Sequence, residues 1–154
     1  MNQLAAVRIL IHIKDLLDVF VSLIKFIMAN MVKKISLSIM TAFYFWAGLN
    51  HFWHTSDYLR IMPPYLPYPL LLVQISGLAE SFLAVLLPWR KTRRWTCYGI
   101  IALLIAVFPA NIYMLTSGGA GTTFPHWALV VRLPLQTVLI LWAYWHSLSD
   151  KYQK

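Results

Sequence analysis

Two charged side chains lie inside long apolar segments, where they could do chemistry. Glu80 is in the segment that begins at Pro69, and Arg132 is in the segment that begins at Trp127. At ~1.5 Å per residue, Glu80 would lie ~16 Å below the membrane surface and Arg132 ~8 Å below it. Either bare charge costs ~2.5 to 3.5 kcal/mol to insert, so we expect pairing or neutralisation. The sequence therefore predicts that Arg132 reaches inward to Glu80, as a structural ion pair or as a pair that binds a ligand or handles a proton.

Amide and imidazole side chains lie toward the same membrane surface as these two charges. All four long apolar segments after residue 31 contribute to this half, whereas the opposite half offers mainly small hydroxyls. This one-sided distribution is typical of an apolar pocket with a few convergent polar groups. A quinone or another polar-headed lipid would place its carbonyls against Arg132, Gln136 or Asn111. The predicted ligand-binding residues are Asn50, His51, Gln74, Glu80, Asn111, Arg132 and Gln136.

Other chemistries have weaker support in the sequence. His51, His54 and Asp57 recur every three residues and could share a metal ion, but a helix is expected to end among them, so no metal site is predicted. The sequence has no recognisable nucleophile and base, no phosphate-binding glycine loop and no haem or iron–sulfur signature. No catalytic residue is predicted, and a non-catalytic subunit or accessory protein is favoured over an enzyme acting alone.

The elements that must position these residues are transmembrane helices. The chain has 154 residues, of which 60% are apolar and only 12% are charged, so a lipid bilayer is the expected surrounding. The predicted fold class is all-α, a transmembrane four-helix bundle with an additional N-terminal amphipathic helix. The spans are predicted at about 35–53, 69–88, 95–116 and 127–147. Pro109 and Pro134 are expected to kink the last two spans and open space between helices.

Residues 1–30 are predicted as a separate amphipathic segment, before a four-span membrane domain at 31–154. The polar residues between Arg8 and Lys25 fall on one arc of a helix and most large apolar residues fall on the other, which favours a helix lying in the membrane interface. The alternative is that residues 1–30 are an N-terminal extension, because translation could also start at Met28 or Met31, which are both in frame.

The distribution of basic residues predicts the topology. The formal net charge is +8, and basic residues cluster before the first predicted span, between the second and third spans, and after the fourth. By the positive-inside rule these clusters are cytoplasmic, which gives a multi-pass protein with both termini in the cytoplasm. Because the basic residues flank apolar segments, they indicate orientation in the membrane and no nucleic-acid partner is predicted. The loops 54–68 and 117–126 would then face outward.

Five segments between residues 31 and 147 resemble, in order and spacing, segments of the DoxX-like family of small bacterial four-helix membrane proteins. The segments are AGLNHF at 47–52, MPPYLP at 62–67, SGLAE at 76–80, FPANIYM at 108–114 and RLPLQ at 132–136. The resemblance implies a four-helix bundle in the bacterial cytoplasmic (inner) membrane. Relatives in that family include a subunit associated with thiosulfate:quinone oxidation and a membrane partner in a redox-defence complex. A membrane or peripheral redox protein is therefore an implied partner.

These observations lead to three functional hypotheses. The first is a membrane subunit of a redox system that binds a small hydrophobic or polar-headed ligand, with a quinone as the candidate cofactor. The second is a non-catalytic membrane scaffold or assembly chaperone. The third is a small transporter acting as a homo-oligomer, since four spans alone make a poor transport pathway.

Overall fold

A computed structural model describes residues 3–118 and 125–148, with side chains described from residue 12 onward. Every regular element in this part of the chain is helical. The helices are α1 (Gln3–Trp53), α2 (Thr55–Arg60), α3 (Pro69–Leu86), α4 (Arg93–Thr116) and α5 (His126–Ser147). The predicted all-α class is therefore confirmed for the described residues.

Three of these helices are long and apolar enough to cross a membrane, within the residues that the structure describes: α3, α4 and α5. They correspond to the predicted spans at 69–88, 95–116 and 127–147, with ends that differ by no more than two residues. Their length and composition are those of membrane-spanning helices, which makes the chain a membrane protein. Pro109 lies inside α4 and Pro134 lies inside α5, as expected.

Helix α1 differs from the prediction, because no break separates residues 1–30 from the segment at 35–53. The sequence from Gln3 to Ala47 contains neither glycine nor proline, so no residue in it favours a helix end. Residue contacts nevertheless divide the chain into two units, Met1–Ser36 and Leu37–Lys154. In the first unit, the described side chains from His12 to Ala29 are all exposed, those of the apolar face as well as those of the polar face.

The segment predicted as an outward loop at 54–68 contains the short helix α2. Its prolines begin only at Pro63, so residues 55–60 keep the amide donors that a helix needs. After α2 the chain turns inward, where Ile61 and Pro63 are buried. Tyr68 then takes a left-handed backbone conformation immediately before α3.

The hydrophobic core of the second unit draws on the four long helices. Helix α4 packs against both α3 and α5. Helices α1 and α3 approach closely at Gly48 and Gly77, a small-residue contact that is typical of packing in lipid. Cys97 is buried in the core near the start of α4. The buried core residues are Met40, Tyr44, Ala84, Leu87, Cys97, Ile100 and Ala143.

Candidate functional site

The intramembrane carboxylate pairs with a histidine of the preceding helix. His51 Nε2 lies 3.4 Å from Glu80 Oε2, and the two side chains are only 11% and 14% exposed. The prediction that Glu80 pairs with Arg132 is wrong, since no ion pair joins these two residues in the described part of the chain. The physical reason is the close approach of α1 and α3 at Gly48 and Gly77, which brings the imidazole next to the carboxylate.

The hydrogen bonds on the far side of the imidazole define where its protons lie. His51 Nδ1 is 3.1 Å from the carbonyl oxygen of Val73, which can only accept, so Nδ1 carries a hydrogen and donates it. The hydroxyl of Ser76 lies 3.2 Å from the same nitrogen and donates to the same carbonyl. A hydrogen between Nε2 and the Glu80 carboxylate makes their 3.4 Å contact favourable.

A tyrosine of α2 covers this pair. The ring of Tyr58 stacks on His51, with 3.9 Å between ring centroids and 24° between planes. Asn50 donates from Nδ2 to the Tyr58 hydroxyl at 3.1 Å, and its Oδ1 accepts from His54 Nδ1 at 2.8 Å. Burial raises the pKa of Tyr58, although the hydrogen bond from Asn50 opposes part of this change. Tyr58 therefore keeps its own hydrogen, which remains available for donation.

Helices α4 and α5 share a pair of amide side chains. Asn111 Nδ2 donates to Gln136 Oε1 at 3.0 Å, and Gln136 Nε2 donates to the backbone carbonyl of Leu104. Gln136 is almost fully buried. The next backbone carbonyl along α4, that of Ile105, lacks its usual hydrogen-bond donor because Pro109 has no amide hydrogen. Both ends of the Gln136 amide are thus already bonded within the protein.

Arg132 has a different environment from the one the sequence predicted. Its Nη1 lies 3.2 Å from the sulfur of Met114, which is a weak acceptor. A guanidinium has five N–H donors, and no carboxylate among the described residues lies within ion-pair distance of this one. Arg132 is half-buried, so this positive charge faces the interior of the protein with most of its donors unused.

These groups surround a common interior space. A cavity of about 520 Å³ lies among α1, α3, α4 and α5, and Met62 and Leu66 of the proline-rich segment complete its wall. Its lining is mostly apolar. The polar groups on it include His51, Tyr58, Glu80, Asn111, Arg132 and Gln136.

A second cavity of about 420 Å³ adjoins the first. Asn50, His54 and Asp57 line it, and Tyr58 and Arg132 line both cavities. Tyr58 and Arg132 therefore stand at the boundary between the two spaces.

The structure brings together six of the seven predicted binding residues. His51, Glu80, Asn111, Arg132 and Gln136 line the larger cavity, and Asn50 lines the adjoining one. Gln74 is exposed and lines neither cavity. The alternative metal site at His51, His54 and Asp57 is not formed, because the described residues contain no group of three side chains able to hold a metal ion.

Three cavity residues were missing from the predicted set. Ser76 lies one helical turn before Glu80, so the spacing alone could have indicated it. Tyr58 lies two turns after His51, but the break between α1 and α2 hides this relation in the sequence. Tyr44 lines the larger cavity, and its buried hydroxyl makes no hydrogen bond within the described residues.

Comparison with known families assigns the chain to one of them. A family model described as "Domain of unknown function (DUF8561)" matches residues 40–147, which is more than two thirds of the chain. The chain belongs to this family. The matched range begins in α1 and ends with α5, so it contains every residue that lines the two cavities. Neither a curated protein nor a solved structure matches the chain.

Proposed function

We propose that this protein binds, inside the membrane, a small molecule with a polar head and an apolar body. The observation that carries the proposal is the cavity of about 520 Å³, because its size lies within the range of about 300 to 1,000 Å³ that is usual for ligand sites. Its walls are apolar apart from a few polar groups that face one another. A structure whose polar groups only joined helices would bond them to each other, whereas Arg132 and the Tyr44 hydroxyl have unused donors.

The free donors define how a ligand would be held. Both ends of the Gln136 amide already make hydrogen bonds within the protein, whereas Arg132, Tyr44 and Tyr58 each keep a donor that could bind a ligand. A polar head would bind near Arg132 and Tyr58, where the two cavities adjoin, and the apolar body would lie along α4 and α5. A quinone has this division of polar and apolar parts and stays one candidate. Membership of a redox system is a proposal that rests on the DoxX-like resemblance alone.

We also propose a four-span topology, in which the part of α1 after Leu37 is the fourth spanning helix. Two observations support it: α1 contributes Met40 and Tyr44 to the same core as α3, α4 and α5, and its Gly48 contacts Gly77 of α3. The basic residues at 90–94, between α3 and α4, favour a cytoplasmic location for that end. Both termini are then cytoplasmic, and the bacterial inner membrane is the proposed location.

The proposed binding function is tested by mass spectrometry of small molecules released from the purified full chain. An amphiphile that co-purifies with the protein is expected. Ala110→Phe should lower its amount, because Ala110 lines the cavity and a phenyl ring would occupy the space. The matched control is Ala102→Phe, eight residues earlier on α4, where the side chain is exposed and outside the cavity. Equal amounts in both variants would count against binding in this cavity and favour the scaffold hypothesis.

A further inference from the structure

The carboxylates near the cavity are already paired. Among the acidic residues that the structure describes, Asp57 and Glu80 line the two cavities. Asp57 is 3.5 Å from Arg60, and Glu80 is 3.4 Å from His51. Neither carboxylate is left for Arg132, whose described contact is the Met114 sulfur.

The lining of the larger cavity therefore includes a guanidinium that forms no ion pair with a carboxylate of the described residues. Glu80 contacts His51 instead of Arg132. Tyr44, Ser76 and the amides carry no formal positive charge, so Arg132 is the permanently positive group on this lining. In an interior of low dielectric constant, the free energy of such a charge falls most when an anion binds next to it. A neutral carbonyl would occupy one or two N–H donors but would leave the charge in place.

We infer that the ligand is an amphiphile whose head carries a single negative charge, a carboxylate in the simplest case, and that Arg132 binds this head. This inference rests on the ligand-binding function proposed above and specifies its ligand class. The planar guanidinium can donate two parallel hydrogen bonds to a carboxylate or a phosphate. Tyr58, which also lines both cavities, is placed to donate a third. The apolar tail lies beside Leu103, Val107 and Leu139 in the larger cavity.

The inference separates this ligand class from a quinone. A quinone head is neutral and would leave Arg132 uncompensated, whereas a carboxylate or phosphate head neutralises it. The anionic head could belong to a free fatty acid or to an acidic phospholipid of the bilayer, since both present an oxyanion on an apolar chain. Competition among probes whose tails have the same length shows how the charge of the head affects binding, separately from the effect of the tail.

The test uses the full chain in phosphatidylcholine nanodiscs with radiolabelled dodecanoate, and empty nanodiscs as the background. Unlabelled dodecanoate, dodecanol, dodecylamine and a short-chain ubiquinone are the competitors. Dodecanoate is expected to displace the label at a concentration about tenfold lower than dodecanol or the quinone, because its contacts with Arg132 are charge-assisted. Dodecylamine is expected not to compete. Displacement by added phosphatidylglycerol would assign the head to a bilayer lipid.

Variants then test the role of Arg132 itself. Arg132→Gln should abolish the preference for dodecanoate over dodecanol. Arg132→Lys should keep part of it, because the positive charge remains but the planar guanidinium, which can donate two parallel hydrogen bonds, is lost. The control is Arg94→Gln, which removes the same charge from an exposed residue outside both cavities.

Two failures have different meanings. Equal competition by dodecanoate, dodecanol and the quinone in the wild-type protein overturns the anionic class and leaves the binding function in place. If no probe binds above the background of empty nanodiscs, and no amphiphile co-purifies with the protein, the proposed binding function fails and the inference fails with it.

Discussion

The backbone of Gly48 lies directly against that of Gly77, so neither position has room for a methyl group. A Cβ on Gly48 would lie 2.7 Å from the Gly77 carbonyl oxygen, and a Cβ on Gly77 would lie 2.9 Å from the Gly48 carbonyl oxygen. Because these obstacles are backbone atoms, a larger residue would push the helices apart. The same contact brings His51 to Glu80, so the helix packing and the polar pair depend on each other.

The first prediction concerns this contact. Gly77→Ala should destabilise the protein by about 1 to 3 kcal/mol, the usual cost of overpacking a well-packed site. The control is Gly99→Ala, where the new Cβ meets only the end of the flexible Leu83 side chain, at 2.8 Å, which can move. Unfolding by SDS in mixed micelles measures both free energies. Equal losses of stability in the two variants would contradict the close contact of α1 and α3.

The second prediction concerns the contact between His51 and Glu80. Glu80→Gln should be tolerated, because the glutamine amide can donate to His51 Nε2 while Nδ1 continues to donate to Val73. Glu80→Ala leaves that nitrogen buried without a partner and should cost about 1 to 3 kcal/mol of unfolding free energy. The comparison variant is Asp57→Ala, which breaks an exposed pair worth about 0 to 1 kcal/mol. A large loss of unfolding free energy in Glu80→Gln would show that a formal charge is needed at this position.

The third prediction concerns the amide pair of α4 and α5. Gln136→Ala removes the buried link between Asn111 and the Leu104 carbonyl and should lower the free energy of unfolding by about 1 to 3 kcal/mol. Gln74→Ala changes the same residue type at an exposed position outside both cavities and should stay within about 0.5 kcal/mol of the wild-type protein. The same SDS unfolding measurement applies. If both substitutions cost equally little, Gln136 does not bridge the two helices.

The fourth prediction concerns the pH dependence of stability. Because burial raises the pKa of Tyr58 above its usual value of about 10, the folded protein holds this proton more tightly than the unfolded chain does. The resulting stabilisation is complete below about pH 10 and is lost as the pH rises through the folded-state pKa. Wild-type protein should therefore lose stability relative to Tyr58→Phe above about pH 10, but not at neutral pH. If the free energies of unfolding of the wild-type protein and of Tyr58→Phe changed in parallel as the pH rose above about 10, the prediction would be wrong.

The helices could largely be predicted from the sequence, because their signals are local. Pro69 begins α3, and the basic residues after it interrupt the apolar pattern before α4. The single helix α1 was not predicted, since the change from an amphipathic to an apolar pattern resembles a boundary. Neither Lys33 nor Lys34 breaks a helix, however, and helix ends depend on residues that break one.

Most residues of the candidate site could be predicted from the sequence, but which of them contact one another could not. Depth along each helix follows from counting residues, which is enough to place His51, Glu80 and Arg132 in the same half of the membrane. Which of them touch depends on how the helices are rotated and how closely they approach. That is decided by the contact of Gly48 with Gly77, a relation between distant parts of the chain that no local pattern reveals.

The position of Tyr58 has a consequence for kinetics. Its ring stacks on His51 and forms part of the wall of both cavities, so a molecule moving from one cavity to the other passes that ring. Movement of the ring would then influence how fast a ligand enters and leaves, and its hydroxyl would contribute to how tightly the head is held. A smaller side chain at this position would accelerate departure more than arrival, because it would also remove a hydroxyl placed to donate to the head, and it would therefore lower the equilibrium occupancy.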